Sequence, residues 1–203
     1  MSDSGVPGRG GEGEYADHVA LSDGTYLIGP ASGRLMVKTS RTGLGARAGH
    51  DLTLDAAGWT GSVVVDMADP ARSSVRVDVD ADTLEVREAT GGVKSLSSSD
   101  RAEIKRNIRT KILRTDKHPR ITFQSTHVQG SPEAFTVDGE LTIVGVTRPV
   151  TLRGGIDGYR VQAETTVTQT AWGIKPYSAL LGALKLADDV VIQAEAELTP
   201  PSL

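Results

Sequence analysis

Few residues in this 203-residue chain could carry covalent or acid–base chemistry. There are four histidines and no cysteine, which excludes thiolate nucleophiles, thiolate metal sites and a disulfide framework. His50 and Asp51 are adjacent, but neighbours on a strand point to opposite faces and make a poor dyad. His118 precedes Pro119 and His127 closes a strand-like run, neither with a carboxylate at a recognisable spacing. There is no Gly-x-Ser-x-Gly nucleophile elbow. Without a His-x-His or HExxH pattern no metal-ligand set is expected, and Asp188–Asp189 reads as solvated surface. A triad built in space around His50 stays open, since such sites are assembled by the fold and not by spacing. The expectation is a site with no catalytic residue, no metal and no cofactor.

The elements that could build such a site are mostly strands. Residues 24–30 (GTYLIGP) and 33–40 (GRLMVKTS) are short runs bounded by Gly, Pro and Ser. Residues 49–56 alternate around Leu52 and Leu54, and 58–66 (GWTGSVVVD) follow closely. In 73–82, Val75, Val77 and Val79 share one face while Arg76, Asp78 and Asp80 share the other, which predicts a strand with one dry and one wet side. Further runs cover 119–128, 134–144, 146–154, 159–170 and 188–198. Between them, residues 99–116 place Ile104, Ile108 and Ile112 at i, i+4, i+8, an amphipathic helix with Ser99 or Asp100 as N-cap and Glu103 placed for a capping box.

Strands joined by short turns, with one helix inserted, predict an antiparallel all-β fold of about eight strong strands, a sandwich or a closed up-and-down barrel. Closure would remove exposed edges, and an eight-stranded barrel either holds a small ligand or fills its own interior. Residues 1–20 are Gly-, Ser- and acid-rich and read as a flexible tail, with residues 21–203 as the folded domain. A net charge of -4 argues against a dedicated nucleic-acid binder. No apolar run reaches the ~20 residues of a membrane span. The amino terminus lacks the pattern of a secretory signal, so a cytoplasmic location is expected.

Two blocks make the pattern specific. His118-Pro119, Ile121 to Ser125, Gly139 to Ile143 and Gly145 to Val150 occur in order within residues 109–154. Together they resemble the YceI family of lipocalin-like proteins, and weaker likeness extends over residues 24–198. The departures are an interior with two phenylalanines and no export signal of the kind many relatives carry.

The resemblance implies a single antiparallel lipocalin-like barrel that binds, stores or transports a polyisoprenoid or similar apolar amphiphile in its lumen without catalysis. On this basis the lumen wall is expected from Leu35, Val37, Leu52, Trp59, Val63 and Phe123, continuing through Leu141, Ile143, Val150, Val167 and Ile192. The segment 171–186 lacks a strand period and is apolar, so Trp172, Tyr177, Leu180 and Leu181 are expected to close the mouth. A polar head group would need donors at the entrance, for which Arg47, His50, Arg109, Arg114 and Lys175 are the candidates. The competing readings are an enzyme acting on a lipid-like substrate in the same cavity, and a ligand-free scaffold that forms homodimers.

Overall fold

The computed structural model describes residues 21–179, 181 and 183–199. The expected tail and Leu180 lie outside these residues. In chain order the strands are β1 (Gly24–Ile28), β2 (Gly33–Thr39), the two-residue β3 (Arg41–Thr42), β4 (His50–Ala56), β5 (Trp59–Val65), β6 (Ser74–Asp80) and β7 (Leu84–Gly91). Helix α1 (Ser98–Asn107) follows, then β8 (Arg120–Ser131), β9 (Ala134–Ile143), β10 (Val146–Asp157) and β11 (Arg160–Thr168). Short β12 (Ser178–Ala179) and β13 (Leu184–Leu186) precede β14 (Asp189–Glu197).

Eleven strands form one antiparallel sheet in the order β1-β5-β6-β8-β9-β10-β11-β14-β2-β4-β7, and β12-β13-β3 form a small second sheet. The large sheet curls around a core drawn from almost all its strands. Its end strands β1 and β7 are not paired with each other. The all-β, lipocalin-like reading therefore holds, but the wall has eleven strands, not eight, and its order is only partly sequential. In β7 Leu84 and Val86 alternate with Glu85 and Arg87, but Glu88 breaks the period, so periodicity does not reveal this strand. A register shift opposite it, between Thr53 and Leu54, marks the irregularity.

The helix begins two to three residues earlier than the periodicity indicates. Ser97 is the N-cap: its hydroxyl accepts from Asp100 N at 3.1 Å while Asp100 Oδ2 accepts from Ser97 N at 2.9 Å. This reciprocal pair satisfies two otherwise orphaned N–H groups, and it uses Asp100 where the sequence suggested Glu103. From Ile108 to Ile112 the helix widens into a π-turn. Ile104, Ile108 and Ile112 still face inward, half-buried against the core.

The turn between β9 and β10 is a two-residue connection, with Val144 at φ 46° and Gly145 at φ 76°. Both central residues are left-handed, as in the type I′ turns that suit hairpin twist. Pro149 is the fourth residue of β10. It pairs with β9 at Glu140, while β11 joins β10 only from Arg153 onward. Its missing N–H thus falls where one side of the strand has no ladder.

Candidate ligand-binding lumen

Each wall strand sends its alternate residues inward. On β11 these are Val161, Ala163, Thr165 and Val167; on β6 they are Val75, Val77 and Val79. The period of two dictates this, because register around the curl keeps one face of every strand toward the centre. The space they enclose is about 890 Å³ and takes residues from all eleven strands of the large sheet. That volume lies at the upper end of small-molecule sites.

Eleven of the sequence candidates, Leu35, Val37, Leu52, Trp59, Val63, Phe123, Leu141, Ile143, Val150, Val167 and Ile192, line this cavity, and Tyr177 joins them. Trp172 does not. It is buried at the barrel's end, where its indole N–H donates to the Leu141 carbonyl at 3.1 Å. It anchors the 169–187 segment to the wall instead of presenting a face to the lumen. Leu181 is fully exposed and stands off the cavity.

Of the head-group candidates only His50 reaches the lining. Its Nε2 lies 2.9 Å from the Lys94 carbonyl oxygen, so the ring donates there, and its edge packs over Gly92, whose φ of 74° and close contact leave no room for a side chain. Arg109 is turned outward to Asp82, with Nε 2.5 Å from Oδ1. The same carboxylate accepts from the Thr115 hydroxyl at 2.7 Å. The Thr115 bond, aided by Arg109, holds the Asp82 carboxyl below its usual value. This cluster ties the helix end to the turn before β7. Arg47 and Lys175 are exposed at one mouth without lining it, and Arg114 stands off the cavity with a left-handed backbone at φ 50°.

Periodicity did not reveal the remaining polar lining. Lys94, Asp100, Glu103 and Asn107 border the lumen beside His50, and Asp66, Ser73, Gln129 and Ser131 border it at the opposite end. Glu103 and Asn107 could have been found, since they flank the isoleucine ridge on the helix. Two polar atoms sit deeper: Thr39 Oγ1 and Trp59 Nε1 are buried with no protein partner among the described residues. Both residues line the cavity, so a ligand oxygen could accept from Trp59 or pair with Thr39. Among the described residues no cluster of His, Asp and Glu could hold a metal ion, and no helix is long and apolar enough to cross a membrane.

The YceI-like domain model matches residues 31–198. A UPF0312 protein of Yersinia enterocolitica is 33% identical over 101 residues, covering 49% of this chain and 46% of its own. Protein YceI of Escherichia coli is 32% identical over 100 residues, with 49% and 46% covered. The chain thus spans about half the length of the curated relatives it matches. Among solved structures, Burkholderia cenocepacia BcnA superposes with a TM-score of 0.64 at 15% identity, over 85% of this chain and 99% of that one. The Campylobacter jejuni YceI protein gives 0.54 at 14% identity, over 73% and 85%. At such identities the structural likeness speaks for the fold alone.

Proposed function

The chain belongs to the YceI-like domain family, and from that premise we propose that it binds a polyisoprenoid or similar apolar amphiphile in the barrel lumen, as a carrier or store and without catalysis. One observation carries the reading: a cavity of about 890 Å³ whose lining is mainly aliphatic and aromatic, with polar residues gathered toward its ends. Each methylene-sized group buried there contributes about 0.8 kcal/mol. Ten to twenty such groups would supply about 8 to 16 kcal/mol, comparable to the association cost of about 4 to 15 kcal/mol. A chain-like ligand is therefore favoured over a small one. The polar end of the amphiphile fits the His50, Lys94 and Asn107 side of the lumen.

His50 supports the non-catalytic reading, because its Nε2 is engaged by the Lys94 carbonyl, and the nearby Asp100 and Ser97 bond each other, with no hydrogen bond from either to His50 among the described residues. The dimerising-scaffold alternative draws on β1, whose outer edge has no strand partner among the described residues and which carries an exposed Leu27. Organic extraction of the purified protein followed by mass spectrometry tests the main proposal. A stoichiometric isoprenoid-like or long-chain amphiphile is expected. Repeated preparations that contain none and take up none from added polyprenol would overturn it.

A further inference from the structure

Three loops meet at the His50 end of the lumen. The small sheet pairs Lys185 with Thr42, and Gly45 N donates to the Ala183 carbonyl at 2.9 Å. Gly49 packs against the Leu184 side chain. On the other side His50 pairs with Gly91 and touches Lys94. Segments 41–49 and 91–97 and the described residues of 174–179 and 183–187 therefore gather at this end of the lumen, and Gly49, Val93, Lys94, Tyr177, Leu184 and Leu186 among them also line the cavity.

The composition of this rim is unlike that of the rest of the chain. The three segments hold five basic residues, Arg41, Arg47, Lys94, Lys175 and Lys185, and no acidic one, in a chain whose net charge is -4. Arg41 is occupied, donating to the Gly49 carbonyl at 2.6 Å and lying 3.8 Å from Asp51. The other four are exposed, and none forms an ion pair among the described residues. Next to the rim stand Asp51, Asp188, which accepts from Thr170, and Asp100, held below its ordinary value by Ser97 and in part by the charge of Lys94. Asp51 accepts from Arg41 N, and Asp100 is bound to Ser97.

Among these cations stand large apolar side chains with nothing over them. Leu44 and Leu181 are fully exposed, and Val93 is 84% exposed. Leu44 lies between Gly43 and Gly45, both packed on Ala183, two residues from Leu181. Exposed apolar groups ringed by unpaired cations, around the opening of an apolar channel, match the two components of peripheral membrane binding: shallow insertion and attraction to anionic head groups. We propose that this rim docks on an anionic lipid bilayer, with Leu44, Leu181 and Val93 entering the interface so that the lumen opens onto the membrane. The proposal rests on the apolar-ligand reading, for which it supplies a route of loading and release.

The test uses the full chain and sedimentation with vesicles, either phosphatidylcholine alone or an equal mixture with phosphatidylglycerol. Binding is expected to the mixed vesicles, with little to the neutral ones and a steep loss in high salt. Replacing Arg47, Lys94 or Lys185 by Ala should weaken it about five-fold each. The double variant Leu44→Asp/Leu181→Asp should weaken it at least ten-fold, with an unchanged thermal midpoint showing that the fold is intact. Mixed-vesicle binding equal to that of the wild type in this variant would overturn the proposal. So would a loss of dimer in light scattering with vesicle binding intact, since the leucines would then join two copies. The two readings fail separately. Extracts with lipid but no vesicle binding sink docking alone, whereas vesicle binding with lipid-free extracts leaves docking standing and sinks the lumen reading.

Discussion

The two ends of the barrel solve the same problem, how to finish a curled sheet, with opposite chemistry. At the end made by the β5–β6 and β8–β9 turns, the charged groups serve the backbone. Asp66 Oδ1 accepts from Ala68 N and Asp69 N, Asp69 caps a short 3-10 turn through Ala71 N, and Asp23 accepts from Met67 N. Arg72 is spent on Asp69 and Glu133 on Ser131. A second small core of Leu21, Tyr26 and Leu198 packs there, with the Tyr26 hydroxyl donating to the Ser22 carbonyl at 2.7 Å. At the His50 end four cations have no ion-pair partner among the described residues, and the largest exposed apolar side chains are leucines. Charges that satisfy their own turns stabilise a fold, whereas charges left free at a rim are available to something outside it.

The largest effect should come from loosening what holds the basic end in place. Trp172→Ala removes a buried indole and its bond to Leu141, and is expected to cost about 3 to 5 kcal/mol, measured by urea unfolding. If the loss is below 1 kcal/mol, the 169–187 segment is not anchored as described. The contrast between ends is sharpened next by comparing Leu44→Asp with Met67→Asp. The first should reduce binding to anionic vesicles several-fold and the second should leave it unchanged, while both keep their unfolding midpoint because exposed positions tolerate such changes. Equal effects at the two ends would erase the distinction.

Gly92→Ala is a smaller perturbation. A left-handed backbone costs an L-residue about 1 to 2 kcal/mol, and the new β-carbon would also displace the His50 ring. The expected result is a loss of that order with a shifted His50 side-chain NMR signal; a neutral substitution would mean that the 91–97 loop is not held against His50. The smallest effect concerns the helix attachment. Asp82 is held below its ordinary value chiefly by Thr115, so its contribution to stability is complete above the unfolded aspartate value of about 3.9 and is lost as pH falls through the lower folded value. Thr115→Val should raise the Asp82 value and move the acid limb of unfolding to higher pH. An NMR titration showing no rise would refute that assignment.

Alternation made the wall legible. Val75, Val77 and Val79, or Val161 and Val167, needed only the period of two to be placed inward, and the isoleucine ridge needed only the helical period. The Gly145–Pro149 stretch was legible too, and its structure explains why: Val144–Gly145 form the turn, and Arg148 Nε donates to the Ala171 carbonyl at 3.1 Å, tying the hairpin to the segment that carries Trp172. The surroundings of the head-group candidates were the least legible. Arg109 and Arg114 were chosen by type and loop position, but whether a cation faces a lumen or a nearby carboxylate depends on a partner 27 residues away in Arg109's case.

By itself the sequence determined the strand faces, the inserted helix and the family, because periodicity and a hairpin's turn chemistry are local properties of consecutive residues. The tertiary structure alone decided that eleven strands share the wall, that Trp172 anchors instead of lining, and that Leu44, Val93 and Leu181 stand exposed on segments gathered at the His50 end. Those are consequences of register and curl, which bring together segments 41–49, 91–97 and the described residues of 174–187 through hydrogen bonds that no local pattern encodes.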